Sequence, residues 1–150
     1  MYPATFANIT DFEYFIQSVM GVPVAALPLT SPDITTAFCI ALDTVNPLIK
    51  IHSLTYYNLA VYNFAGDYLI NWANDQMCST YFEDLRKKFN ITGFVSGVVA
   101  STADVSTSTS LKVPDSLGDL TLFDLQLLKT PYGRTYLSIA QKFGAVWGLS

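Results

Sequence analysis

The chain has 150 residues, of which 51% are hydrophobic and only 13% charged, with twelve carboxylates against eight Lys and Arg for a formal net charge of -4. Typical globular chains carry about 25% charged residues, so part of this surface is expected to be uncharged and available to a partner. The acidic balance offers no footprint for gripping phosphate backbones, which argues against sequence-specific nucleic-acid binding and suits a surface past which DNA moves without sticking.

The length fits one domain, residues 1–150, with a radius of gyration near roughly 15 Å. The stretch MYPATFANITDFEYF has acidic residues where a signal peptide would have basic ones, so secretion is not expected. Residues 14–30 are uncharged and apolar, but Gly21, Pro23 and Pro28 interrupt them, so a membrane span is not expected either. Cys39 and Cys78 form no Cys-x-x-Cys or Cys/His pattern and read as two buried thiols in a reducing compartment.

Along the chain, Thr10 and Glu13 have the spacing of a capping box, with Ile9 and Tyr14 as its staple, predicting a helix that stops near Gly21. Ser31-Pro32-Asp33 predicts a second start, and Asn46-Pro47 ends that helix after about Val45. The segment from Ser53 to Met77 reads as the central helix. Tyr57, Val61, Phe64, Tyr68 and Trp72 recur at helical spacing, Leu59, Tyr62, Gly66, Leu69 and Ala73 adjoin them, and Asn63, Asp67, Asn71 and Asn74 are left as a narrow polar stripe. A helix apolar around so much of its circumference is expected to be covered on several sides.

Thr80 with Glu83 repeats the capping-box spacing and opens a short helix, whose Arg86, Lys87 and Lys88 suit its negative end better than a phosphate site. Residues 93–113 are rich in valine, threonine and serine. Val105, Thr107, Thr109, Leu111 and Val113 alternate with serines and Lys112, which predicts a strand. Phe94 to Ala100 supplies a second strand, with Thr102-Ala103-Asp104 as the turn. Strands of this length would make an arm roughly 30 Å long, with Val95, Val99, Thr102, Val105, Thr107, Thr109 and Leu111 as candidate interface residues. Its unpaired edges would be completed by neighbouring chains; a small hairpin folded back on the helices, or a surface loop, is the competing arrangement. Pro114 to Asp119 is turn-like, and two helices follow, Leu120 to about Lys129 and one capped by Thr130 with Pro131 at its first position, running through Tyr132, Tyr136, Ile139 and Phe143. The fold class is thus mainly α: a small helical bundle with a long central helix, the body at about 1–92 and 114–150, and a protruding β-hairpin insertion at about 93–113.

No Gly-rich phosphate loop or metal-ligand cluster is present in the sequence, so neither cofactor nor metal is expected. His52 is the one histidine; with Cys39, Ser53 or Asp67 it could nominally form a nucleophile and base, but no motif groups them, and no enzyme is expected. The alternative reading is a small helical enzyme or ligand carrier with an aromatic pocket and His52.

The order of parts resembles the head-to-tail connector, or adaptor, proteins of tailed bacteriophages. The resemblance rests on the capped N-terminal helices, on YYNLAVYNFAGDYLINWA, on GFVSGVVASTADVSTSTS, and most specifically on FDLQLLKTPYGRTYLSIAQKFG. There Phe123, Leu127, Thr130, Pro131, Tyr132, Gly133, Tyr136 and Leu137 match a family pattern of aromatic helix, Thr-Pro-Tyr-Gly, and second helix. It implies a structural virion protein forming a twelvefold ring at the phage neck, assembled in the host cytoplasm. Its implied partners are other copies of itself, the portal, a stopper or tail-completion protein, and DNA passing unbound through the lumen. Tyr132, Arg134, Tyr136, Trp147 and Leu149 are then candidate portal or neighbour contacts. Where family members often end in a polar or basic tail, this sequence reads AVWGLS, and Trp147 with Leu149 would be an apolar anchor in its place.

Overall fold

The computed structural model describes residues 5–91, 102–104, 107–109 and 122–143. Within them the chain is mainly α: α1 (Ile9–Ser18), α2 (Pro32–Thr44), α3 (Ile49–His52), α4 (Leu54–Trp72), α5 (Tyr81–Lys88), two short strands β1 (Thr102–Asp104) and β2 (Thr107–Thr109), then α6 (Leu122–Leu127) and α7 (Pro131–Lys142).

α4 is the axis of the bundle. α7 and α2 pack most extensively on it, with α3, α5 and α1 closing the remaining sides. Tyr57, Ala60, Val61, Tyr62, Phe64, Ala65 and Leu69 are all buried, so covering its apolar circumference from several directions is what removes this surface from water. At the N-terminal end, Phe12 stacks with Phe38 and Tyr62 at centroid distances of 5.8 and 6.0 Å, and Phe15 meets Tyr62 at 5.9 Å. Offset aromatic pairs of this kind contribute about 0.5–1.5 kcal/mol each beyond the area they bury.

The helix starts follow from local chemistry, with two corrections. Ser31 caps α2 by accepting from the Asp33 amide, and Ser53 caps α4 by accepting from the Tyr56 amide. α1, however, is capped by Asn8, whose Oδ1 accepts from the Asp11 amide at 2.9 Å; Thr10 lies inside the helix, and Tyr14, expected in a staple, is exposed. The decisive bond is tertiary, because the Asn8 amide donates to the Tyr62 hydroxyl and fixes the start there. Thr80 stands at the N-cap of α5 but makes no capping hydrogen bond to the backbone. Asp75 does this from outside, its two carboxylate oxygens accepting from the Phe82 and Glu83 amides at 2.7 and 3.0 Å.

Arg86 answers the other terminus. Rather than closing its own helix, its Nε donates to the Ile70 carbonyl at 2.9 Å and its guanidinium also bonds the Ala73 carbonyl, so it caps the negative end of α4. Lys87 pairs with Glu83 on the surface. Both thiols, expected to be buried, are exposed and free, Cys39 on the outer side of α2 and Cys78 in the connection after α4 at φ 66°.

β1 and β2 form one antiparallel ladder in which Thr102, Ala103 and Asp104 face Thr109, Ser108 and Thr107. Residues 102–104, expected as the turn, therefore form a strand, in keeping with the extended preference of β-branched Thr102. Three residues at ~3.3 Å give a ladder of roughly 10 Å, and a protruding arm over 93–113 is not supported by it. Val95, Val99, Val105 and Leu111 lie outside the described residues, as do the turn expected at 114–119, Trp147 and Leu149.

The α6–α7 corner is set by one glycine. A Cβ at Gly133 would sit 2.0 Å from the Leu127 carbonyl oxygen, so only glycine lets the first turn of α7 press against the end of α6. Gly133→Ala is expected to destabilise the fold by about 3 kcal/mol, since backbone must shift, read as a lower urea midpoint with unchanged m. Arg86→Ala should cost about 1.5–3 kcal/mol, the range for hydrogen bonds to a charged group. Faster amide exchange at the end of α4 would check the assignment; unchanged exchange there would refute it.

Candidate functional site

The polar stripe of α4 turns inward. Asn63, Asp67 and Asn71 recur every four residues, and Asn63 and Asp67 are buried at 6% and 5% exposure. The two asparagine amides bond back to the carbonyls four residues earlier, Asn63 to Leu59 and Asn71 to Asp67, both at 2.8 Å. That leaves the Asp67 carboxylate to find partners on other elements.

It finds them at the α6–α7 corner. Thr130, itself fully buried, donates its hydroxyl to Asp67 Oδ1, while Thr130 Oγ1 accepts from the Gly133 amide at 2.9 Å as the N-cap of α7. Asp67 Oδ2 accepts from the Asn71 side chain at 3.2 Å, and Asn71 Oδ1 accepts from Gln126 Nε2 at 2.8 Å. One chain of hydrogen bonds thus ties α4 to both helices of the Thr-Pro-Tyr-Gly unit. Burial raises the Asp67 carboxyl from 3.8 to about 7, with the Thr130 hydrogen bond pulling the other way. Among the described residues no cation contributes to that balance.

Above this carboxylate opens a pocket of about 290 Å³, lined by Ile40 and Thr44 of α2, by Phe64, Asp67, Tyr68, Asn71 and Trp72 of α4, and by Phe123, Gln126 and Leu127 of α6. Tyr68 and Trp72 form one aromatic pair with centroids 6.3 Å apart, and Phe64 and Phe123 a second at 5.9 Å. Trp72 and Phe123 remain 62% and 52% exposed at its rim.

The candidate contact residues separate clearly. Tyr136 is buried at 5% exposure, edge-on to Phe64 at 5.1 Å, so it belongs to the core and is not presented to a partner. Tyr132 is half-buried against Phe15, and Arg134 is exposed, its Nη1 donating to the Leu128 carbonyl. Thr102, Thr107 and Thr109 lie in the short ladder.

His52 is exposed and stacks on Phe143 at 5.7 Å. Ser53 and Asp67 lie fourteen positions apart on one continuous helix, a separation of roughly 21 Å at 1.5 Å per residue, so His52, Ser53 and Asp67 do not assemble as a triad. Among the described residues no group of three His, Cys, Asp or Glu side chains could hold a metal ion, and no helix is long and apolar enough to cross a membrane. Sequence reasoning placed Asp67 on a polar stripe and tied an aromatic pocket to His52 in its alternative reading, but did not foresee the carboxyl buried beside aromatic rings; the available signal was an aspartate on a helix otherwise apolar nearly all round.

No family model, curated protein or solved structure matches the chain.

Asp67 gives a pH dependence of definite sign. The unfolded carboxyl titrates near 3.8 and the folded one near 7, so the native state holds the extra proton between those values. The stabilisation this group confers is complete below about pH 4 and is lost as pH rises through 7, a change on the order of 4 kcal/mol. Asp67→Asn keeps an acceptor for Thr130 and removes this component. Urea unfolding at pH 4.5 and 7.5 should show the variant gaining about 3 kcal/mol relative to the native chain at the higher pH. An equal difference at both pH values would contradict the assignment.

Proposed function

We propose that the chain is a structural adaptor of a tailed-phage neck, a ring-forming protein that joins the portal to the stopper or tail and extends the DNA channel. One observation carries the reading: the core is closed, yet large apolar side chains remain outside it. Leu48 and Ile51 around α3 are 51% and 77% exposed, and Met77 is 96% exposed. Scattered apolar residues are ordinary on any surface. In a chain with 13% charged residues they leave little to keep sister copies apart, which suits the large contacts between ring subunits.

Two further points support it. The stretch on which the resemblance rests most specifically, residues 122–143, is a built unit held to the central helix by a buried hydrogen-bond chain, which suits a rigid load-bearing part. The net charge of -4 suits a conduit that does not retain DNA. In this reading the Val/Thr/Ser segment 93–113 contacts neighbouring subunits or the tail, and Arg134 on α7 is available to the portal. The work is mechanical, with no catalytic step.

The test is imaging of portal complexes assembled with this chain, alongside Ile51→Glu and Leu48→Glu variants that keep the native circular dichroism. The proposal expects a ring of density on the portal for the native chain and at least about a tenfold loss of ring-bearing particles for the charged variants, since burying one unpaired carboxylate per interface costs several kcal/mol. Neck density containing no copy of this chain would end it.

A further inference from the structure

The pocket over Asp67 combines features that a packed core has no use for. Asp67, at 5% exposure, lines it, and among the described residues no cation acts on its carboxyl. Among the described residues its two oxygens accept one hydrogen bond each, from Thr130 and Asn71, of the about four acceptor positions a carboxylate offers. Around it stand four aromatic rings, those of Phe64, Tyr68, Trp72 and Phe123. The faces of such rings attract cations, and the attraction grows when water is excluded.

Elsewhere this chain satisfies its aromatic faces with its own lysines. Lys50 sits 4.4 Å from the centre of the Tyr57 ring and Lys142 4.2 Å from that of Tyr56. No basic side chain is among the residues lining the Asp67 pocket. Carboxylate, side-chain amides and aromatic walls therefore converge on a space that the described part of the chain leaves without its complementary charge.

We propose that this pocket receives one arginine side chain of a partner polypeptide, its guanidinium stacked between the aromatic rings and bonded to Asp67. A guanidinium fits better than an ammonium because its planar fork can meet a carboxylate while its faces lie on rings. A volume of about 290 Å³ is at the small end for drug-sized ligands and suits a single side chain. The exposed rings of Trp72 and Phe123 would pack on the residues flanking that arginine and exclude water, as the rim of a binding hot spot does. This goes beyond ring formation and stands independently of it, since the chemistry belongs to the single chain.

The experiment uses the full chain carrying Trp147→Phe, so that Trp72 is the remaining tryptophan of the two in the sequence. N-acetyl-arginine methylamide and its neutral isostere N-acetyl-citrulline methylamide are titrated while Trp72 emission and the Asp67 carboxyl carbon-13 shift are followed. The expected result is saturable binding of the arginine derivative, at least tenfold tighter than the citrulline derivative and N-acetyl-lysine methylamide, with the Asp67 midpoint lowered by about one unit or more. Phe123→Ala, at the exposed rim, should weaken binding at least threefold, and Asp67→Asn, where it folds, at least tenfold. Equal response to arginine and citrulline, an unmoved Asp67 midpoint, or lysine binding as tightly as arginine would each overturn the proposal. The carbon-13 reading on the native side chain decides the matter even where Asp67→Asn does not fold.

Discussion

The constraint on which the structure depends is that α4 is covered on nearly every side, so its polar groups must look for partners within the protein, and among the described residues Asn58 Oδ1 is the buried side-chain atom left without one. The backbone of α4 answers this by being helical, and Asn63 and Asn71 answer it by bonding back to their own helix. Asp67 has only half of a local solution, since Asn71 one turn on reaches its Oδ2 and leaves Oδ1 to be met from elsewhere. Its partner is Thr130, sixty-three positions further on, and the requirement that these two meet places the α6–α7 corner. A buried carboxylate with no partner costs several kcal/mol, so an arrangement that left Asp67 unmet would not compete with this one.

The same economy recurs at the ends of α4 and α5. Asp75 caps α5, and Arg86 of α5 caps α4, so each helix terminus is closed by a residue outside its own first or last turn. These reciprocal contacts make the α4–α5 junction a rigid corner. Gly133 does so for α6 and α7 by permitting backbone contact without a side chain. The body that results has its corners closed by these contacts and carries large apolar side chains on parts of its outer surface.

How much of this was legible in the sequence depended on the range of the interaction. Ser31-Pro32 and Thr130-Pro131 were readable because cap and helix lie within three residues, and the central helix because its aromatic spacing persists over about four turns. Thr10 was read as the cap from its spacing to Glu13 alone, whereas Asn8, the residue that caps, also donates its amide to Tyr62, fifty-four positions away. The caps by Asp75 and Arg86 have no fixed spacing to recognise. Periodicity located the polar stripe, but a face carries no label saying whether solvent or a neighbouring helix covers it; Tyr136 was expected at a partner because of the resemblance, and the thiols inside because unpatterned cysteines are commonly buried. The alternation in the Val/Thr/Ser segment identified extended chain but not register, since either of two offsets keeps the same pattern.

The central claim is that Asp67 and Thr130 act as one unit holding the C-terminal helices to α4. A double-mutant cycle of Asp67→Ala and Thr130→Val, with stability from urea unfolding at about pH 8.5, where the folded carboxyl is ionised, measures it most directly. The account predicts a coupling energy of about 1.5–3 kcal/mol, the range for a hydrogen bond to a charged group. Additivity within about 0.5 kcal/mol would contradict it, leaving the two residues as neighbours whose contact does not hold the fold together.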